Sequence, residues 1–133
     1  MKKKTKLIIA GAAIVLVIAG AFLAKYLISV QHYQNAIQTM AYDNVDASDI
    51  PDGTYIGECD VDFIYAKVAV TVENGVIVQI DLLEHRHERG SSAEGIEQRI
   101  VDEQRIDVDA VSGATNSSKV INKAVDNALS NAE

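Results

Sequence analysis

The stretch that decides the fold is Tyr65–Leu83, which reads YAKVAVTVENGVIVQIDLL. Apolar residues occupy every second position from Ala66 to Val72, and this period of two is typical of a strand with one face buried. Asn74-Gly75 then supplies the residue pair of a type I′ turn, in which both central residues have positive φ. The apolar pattern resumes after the turn. The stretch therefore predicts an antiparallel hairpin with strands at residues 65–73 and 76–83.

Elements on either side complete a small domain. Residues 55–61 predict a third strand, and residues 94–103 predict a helix with Ile96 and Ile100 on one side. A last helix, with Asn116 or Ser117 as its cap, carries apolar residues at helical spacing from Val120 to Leu129. We expect its solvent face to comprise Lys119, Asn122, Lys123, Asp126 and Asn127. The predicted fold class is α+β: one N-terminal transmembrane helix, then a small antiparallel sheet with two packed helices.

The chain opens with an apolar segment, Leu7–Ala24, which four lysines precede. A helix needs about 20 apolar residues to cross a bilayer, and apolar residues resume at Tyr26, so the segment is long enough. Lysines that flank a membrane span are retained on its cytoplasmic side. This rule places the rest of the chain on the extracytoplasmic side of the cell membrane. The alternative is a signal peptide cleaved near Ala19-Gly20-Ala21. We interpret the segment as an uncleaved single-pass anchor, because the apolar run continues past that position.

Three regions follow from this organisation. Residues 1–30 are the membrane anchor with its basic cytoplasmic start. Residues 31–51 are a juxtamembrane segment, into which we expect the anchor helix to continue, and an acidic linker that ends at Pro51, the only proline. Residues 52–133 are the extracytoplasmic domain.

Charge and cysteine content limit the possible functions. The formal net charge is −7, and removing the four N-terminal lysines leaves −11 for the residues after Lys6. Nucleic acid is therefore an unsuitable partner. The single cysteine, Cys59, can form no internal disulfide, and its acidic neighbours Glu58 and Asp60 favour a structural thiol over a reactive one.

A second informative stretch is Asp109–Thr115, DAVSGAT, which directly precedes the last predicted helix. It places hydroxyl groups, a glycine and a helix N-terminus close together. Small residues let a ligand approach the backbone, and the unpaired N–H groups of a helix's first turn attract anions such as phosphate. From the residues alone, an ordinary loop with an N-cap explains the stretch as well.

This stretch resembles the flavinylation signature D-x-x-S-G-A-T of the FMN-binding domain family. That family includes the peripheral covalent-FMN subunits of sodium-pumping NADH:quinone reductase and Rnf-type complexes. Asp52–Gly57 also resembles the D-G-x-Y-x-G opening of these domains, and the likeness covers residues 52–132. It implies FMN as the cofactor, joined through its phosphate to Thr115 by a separate FMN transferase. Asp109 would then serve recognition by that transferase.

The resemblance implies further contacts with the flavin. The small residues before Thr115 would admit the transferase and the phosphate, and a serine there can donate a hydrogen bond. In family members the loop after the hairpin lies near the flavin. The complete set of predicted cofactor-binding residues is Thr115, Ser112, Gly113, Ala114, Asn116, Ser117, His85 and Arg86.

Residues 83–90, LEHRHERG, allow another chemistry. An H-x-H pair on a strand directs both imidazoles to one face, so His85 and His87, with Glu84 and Glu88, are candidate metal ligands. The alternative is a polar strand end that runs into a loop, where the neighbouring arginines oppose a cation. We assign no metal site from the sequence.

Together these features predict a membrane-anchored flavoprotein that relays electrons from a membrane donor to an extracytoplasmic acceptor. The flavin would supply the chemistry, so we expect an electron-transfer flavoprotein rather than a stand-alone enzyme. Two alternatives stay open: a noncovalent FMN-binding sensor or regulatory module, and a tethered interaction domain without cofactor.

Overall fold

The computed structural model describes residues 2–87 and 91–132, and the chain divides into two compact units, one up to Gln34 and one from Asn35 onward. The first unit lies within helix α1, Lys2–Gln38. Helix α1 is long and apolar enough to cross a membrane, although a signal sequence near the N-terminus meets the same criteria. Its extent confirms that the apolar helix continues beyond residue 30.

The second unit contains a three-stranded antiparallel sheet in the order β1-β2-β3. The strands are β1, Gly53–Asp60; β2, Tyr65–Glu73; and β3, Val76–Arg86. Asn74 and Gly75 join β2 to β3 with φ angles of 53° and 74°, as a type I′ turn requires. The predicted hairpin and the α+β class are confirmed, and β3 continues beyond its expected end.

Two helices pack against this sheet. Helix α2, Ile96–Glu103, follows a 3₁₀ turn at Ser91–Gly95, and helix α3 is Thr115–Asn131. Helix α3 packs against β1 and β2, and α2 packs against β3. The inward residues of β2 and the apolar face of α3 are fully buried. Burial of this apolar surface is the main source of the stability of the fold. These residues are Ala66, Val68, Val70, Val72, Val120, Ile121, Ala124, Val125, Ala128 and Leu129.

Strand β3 contains two irregularities in its pairing with β2. The register shifts leave Val78 and Leu83 without a residue opposite them on β2. Side chains alternate between the two faces of a strand. After each extra residue, this alternation is shifted by one position, so the residues that follow face the opposite side from the one that strict alternation would give. Ile80 is buried before the second irregularity, and the side chain of His85 is buried after it, opposite Ala66 of β2.

Strand β1 and helix α3 approach each other closely at Gly57. A Cβ atom on Gly57 would overlap the carbonyl oxygen of Ala124 and the amide nitrogen of Ala128. Glycine therefore lets the helix backbone lie directly on the strand. This contact explains the second glycine of the D-G-x-Y-x-G stretch.

Asp126 departs from the expected pattern of α3. We expected Asn122 and Asp126 on the solvent face, but both are buried. The Asp126 carboxylate accepts hydrogen bonds from the backbone N–H of Asp43 at 2.9 Å, that of Asn44 at 3.0 Å and Nζ of Lys123 at 3.0 Å. The expectation was wrong because helical periodicity treats every polar residue as solvated, whereas this carboxylate is satisfied by protein donors.

Candidate functional site

Residues 109–115 form a turn that leads directly into α3. The N–H of Ala114 donates to the carbonyl of Val111 at 2.9 Å, and Gly113 has a φ of 81°. Outside its chain neighbours, no atom of the described residues lies within 4 Å of the place that a Cβ on Gly113 would take. Glycine is therefore required here for its conformation, and the space beside it is open.

Ser118 and Arg99 stabilise this turn. The Ser118 hydroxyl accepts the N–H of Val111 at 3.0 Å and donates to the carbonyl of Ala114 at 2.7 Å, from a fully buried position. Nη1 of Arg99, on α2, donates to the carbonyl of Asp109 at 2.6 Å. The sequence analysis assigned this role to neither residue. For Ser118 a signal existed, since serines near helix ends often bond to the adjacent backbone.

Helix α3 begins at Thr115, so the expected cap at Asn116 or Ser117 is wrong. The N-cap is Ala114, which makes no side-chain capping hydrogen bond. The side chain of the N-cap residue thus bonds to none of the N–H groups of the first turn, and the positive end of the helix dipole lies here. Thr115 and Asn116 are exposed. The hydroxyl of Thr115 is thus accessible at a helix end that favours an anion, which fits a phosphate ester.

The structure brings one hairpin residue to this helix end. Nε2 of His85 lies 3.3 Å from Oγ of Ser117, which is buried in the first turn of α3. Arg86 lies on the opposite face of the sheet, with its guanidinium 4.9 Å from the ring centroid of Tyr65 and 4.0 Å from the Glu84 carboxylate. His85 is therefore adjacent to the N-terminal end of α3, and Arg86 lies on the other face of the sheet.

His85 also contacts Glu94, in the 3₁₀ turn before α2. Nδ1 of His85 lies 3.0 Å from Oε1 of Glu94, and Nε2 of His87 lies 3.6 Å from the same oxygen. The exposed side-chain fractions are 2% for His85, 23% for His87 and 46% for Glu94. The acid that joins the histidines is thus Glu94, whereas Glu84 lies beside Arg86 and Glu88 lies outside the described residues.

Burial changes the titration of several groups in this unit, among them Cys59 and Glu97. It raises the pKa of the Cys59 thiol to about 11, against a smaller opposing effect of Lys123, so the thiol stays protonated at neutral pH. This agrees with a structural role. Burial also raises the pKa of the Glu97 carboxyl, and the neighbouring Glu94 adds to that effect. Oε2 of Glu97 is buried with no hydrogen-bond partner among the described residues.

Two surface cavities lie elsewhere in the second unit. One, of about 360 Å³, is lined by Gly75, Ile77 and Leu129 among others, and one of about 380 Å³ is lined by Gly57, Lys67 and Asn127 among others. Neither is lined by a residue of the 109–115 turn. The turn is therefore an exposed surface site, separate from these cavities.

Comparison with known proteins identifies the family. A family model described as FMN-binding domain matches residues 62–130, which include β2, β3, the 109–115 turn, α2 and all of α3 except its last residue. Neither curated proteins nor solved structures gave a match to this chain. The matched residues make up more than half of the chain. The chain belongs to the FMN-binding domain family, and its cofactor is FMN.

Proposed function

We propose that this protein is a membrane-anchored, extracytoplasmic flavoprotein that carries FMN covalently on Thr115 and relays electrons from a membrane donor to an external acceptor. The observation that carries the proposal is the exposed Thr115, which begins α3 within the D-x-x-S-G-A-T stretch of an FMN-binding domain. A helix end with an exposed threonine and an N-cap residue that makes no side-chain bond is suited to an esterified phosphate.

Attachment requires a hydroxyl that a second enzyme can reach. In the proposed step, Oγ1 of Thr115 forms a bond to the phosphorus of the FMN half of FAD. The phosphoanhydride bond breaks, AMP leaves, and the hydroxyl proton passes to the transferase. Ser112 and Gly113 are exposed beside Thr115 and leave room for that enzyme, while the exposed Asp109 is available for its recognition.

The chain stabilises the product through its backbone. The phosphodiester keeps a negative charge, which the helix dipole and the N–H groups of the first turn of α3 favour. Because Ala114 makes no side-chain cap, no side chain of the N-cap residue competes with the ester for these groups. The bonds from Ser118 and Arg99 hold the turn in this geometry before the flavin arrives.

The proposed electron relay depends on where the protein holds the flavin. The bound flavin supplies the redox chemistry, and the protein supplies position and electrostatics. The charge of −11 after Lys6 favours partners with basic surfaces. Faster reduction of the bound flavin by membranes supplied with NADH or a quinol, relative to free FMN, would support the relay. Equal rates would contradict it.

Helix α1 supports the membrane location. It is apolar over a length that spans a bilayer, and the four lysines at its N-terminal end support a cytoplasmic N-terminus. A covalent cofactor suits an extracytoplasmic domain, since it cannot be lost by dilution. Protease added to intact cells should digest the second unit and leave α1 in the membrane. Protection of the second unit, or recovery of a shortened soluble chain, would contradict the proposed topology.

Intact mass spectrometry of the full chain, coexpressed with an FMN transferase, tests the attachment. We expect a gain equal to FMN less one water, on the peptide that contains Thr115 and stable to denaturation. Thr115→Val keeps the side-chain shape without the hydroxyl and should abolish the gain. Thr54→Val makes the same change at an exposed threonine of β1 and should preserve it.

Two outcomes would contradict covalent attachment. Flavin that copurifies but is released on denaturation would favour the noncovalent sensor. A colourless, unmodified chain, obtained in cells whose transferase modifies another substrate domain, would overturn the proposal.

A further inference from the structure

We infer that His85, His87 and Glu94 form a binding site for a divalent transition-metal ion, with Zn²⁺ as the ion that fits best. Each imidazole supplies one nitrogen, and Glu94 supplies one carboxylate oxygen. The site does not require the flavin, so it stands independently of the proposed function. It lies where the end of β3 meets the 3₁₀ turn before α2.

The two ligand distances that involve Glu94 are close to those of a zinc site. The three ligand atoms all lie within 4.8 Å of one another. In tetrahedral zinc sites, bonds of about 2.0–2.2 Å place neighbouring ligand atoms about 3.4 Å apart. The distances to Oε1 of Glu94, 3.0 Å from His85 and 3.6 Å from His87, lie on either side of that value. Small side-chain shifts would therefore complete the geometry.

The second nitrogen of His85 has the partner that a metal-bound histidine usually has. Such a histidine donates its other ring N–H to a nearby acceptor, which fixes the ring orientation. Here Nε2 of His85 lies 3.3 Å from Oγ of Ser117, and the imidazole is almost completely buried. With the ion on Nδ1, Nε2–H donates to Ser117, so the orientation needed for binding is already present.

Binding would move one proton within the imidazole. In the tautomer that carries its proton on Nδ1, His85 donates to Glu94 and accepts from the Ser117 hydroxyl. When the ion takes Nδ1, the imidazole carries its proton on Nε2 and donates it to Ser117. Ser117 then turns its own proton toward the helix, where a serine can donate to the carbonyl four residues earlier.

The surroundings admit a cation. The guanidinium of Arg86 lies on the other face of the sheet, next to Tyr65 and Glu84, so it does not oppose the ion. His87 and Glu94 are partly exposed, which provides an entry path and a position for a fourth ligand from solvent. Three protein ligands with one open position are typical of exchangeable or catalytic zinc sites.

Zinc binding to the full chain tests this inference directly. Metal-stripped, flavin-free protein in detergent is titrated with Zn²⁺ by calorimetry, and we expect one equivalent to bind. His87→Ala and Glu94→Gln, both at partly exposed side chains, should each weaken binding at least tenfold. Ser117→Ala should weaken it about 10–100-fold, as loss of an outer hydrogen bond does. Glu84→Gln and His32→Ala remove the same residue types elsewhere and should leave the affinity unchanged.

Co²⁺ alone provides a second readout. Bound to the full chain, it should show the strong visible absorption of a four-coordinate ion, and His87→Ala should remove it. Absence of binding at micromolar Zn²⁺ would overturn the inference. Equal affinity in the wild-type chain and in His87→Ala and Glu94→Gln would also overturn it, because the ion would then lie elsewhere.

Discussion

The carboxylate of Asp126 accepts the backbone N–H of Asp43 at 2.9 Å, across 83 positions of the sequence. Oγ of Ser130, one turn later on α3, donates to the Asp43 side chain at 2.9 Å. The segment that enters the sheet unit is thus attached to the last helix of the fold. A buried acid performs this role because a carboxylate can accept several backbone N–H groups at once.

Asp126→Ala should destabilise the sheet unit by about 3 kcal/mol, because the N–H groups of Asp43 and Asn44 lose a buried acceptor. Lys123 contributes less to this loss, since its Nζ also donates to the carbonyl of Ala41 at 2.7 Å. Urea unfolding of the full chain in detergent, followed by the near-ultraviolet signal of its tyrosines, measures the change. Asp102→Ala removes an exposed acid and should stay within about 0.5 kcal/mol of wild type. Equal stability of the two variants would contradict the prediction.

Gly57→Ala should cost about 2 kcal/mol or more, because the added methyl group overlaps the backbone of α3 at Ala124 and Ala128. A helix backbone cannot move aside as a flexible side chain can. Gly95→Ala is the matched control, since no atom of the described residues lies within 4 Å of its Cβ position and its φ is −102°. The same unfolding assay should separate the two variants clearly. A Gly57→Ala chain as stable as Gly95→Ala would show that β1 and α3 are not in close contact.

Ser118→Ala should loosen the 109–115 turn while the sheet stays folded. The substitution removes the acceptor of the Val111 N–H and the donor to the Ala114 carbonyl, at a cost of about 1–2 kcal/mol. Hydrogen exchange at the Val111 amide should become faster, and flavin attachment by the transferase should become slower. Ser48→Ala, which changes a serine in another turn, should alter neither quantity. Unchanged exchange at Val111 would contradict the bonding that the structure shows.

The Cys59 thiol should react slowly and with a strong dependence on pH. Burial raises its pKa from 9.0 to about 11, so at pH 8 the thiolate fraction is about 100-fold lower than in an unfolded chain. Alkylation rates with iodoacetamide should rise about tenfold per pH unit from pH 7 to 10. The stability linked to this shift is complete below pH 9 and is lost as the pH rises toward 11, so Cys59→Ala should flatten that decline. Fast alkylation at pH 7 would contradict the burial of the thiol.

Local features of the fold were predictable because local residues cause them. The hairpin follows from a period of two and from Asn74-Gly75, whose positive φ angles need no help from distant residues. The apolar helix follows from composition. The turn before α3 is also contiguous in sequence, so its residues could be named, although the attachment of FMN to Thr115 stays a prediction. The cap of α3 was predicted incorrectly, because a good capping residue does not begin a helix when Ser118 and the turn place the start at Thr115.

The sequence alone predicts an antiparallel hairpin, an N-terminal helix long enough to span a membrane and, by its resemblance to a known family, a phosphate-binding turn before the last helix. Only the tertiary structure decided which side chains meet. Two irregularities of β3 reverse its alternation and turn His85 toward Ser117 and Glu94, and packing of α3 buries Asp126 against Asp43. Strand register and helix packing depend on the combined burial of residues that are far apart in the chain. A local sequence pattern does not contain this information, because it covers only neighbouring residues.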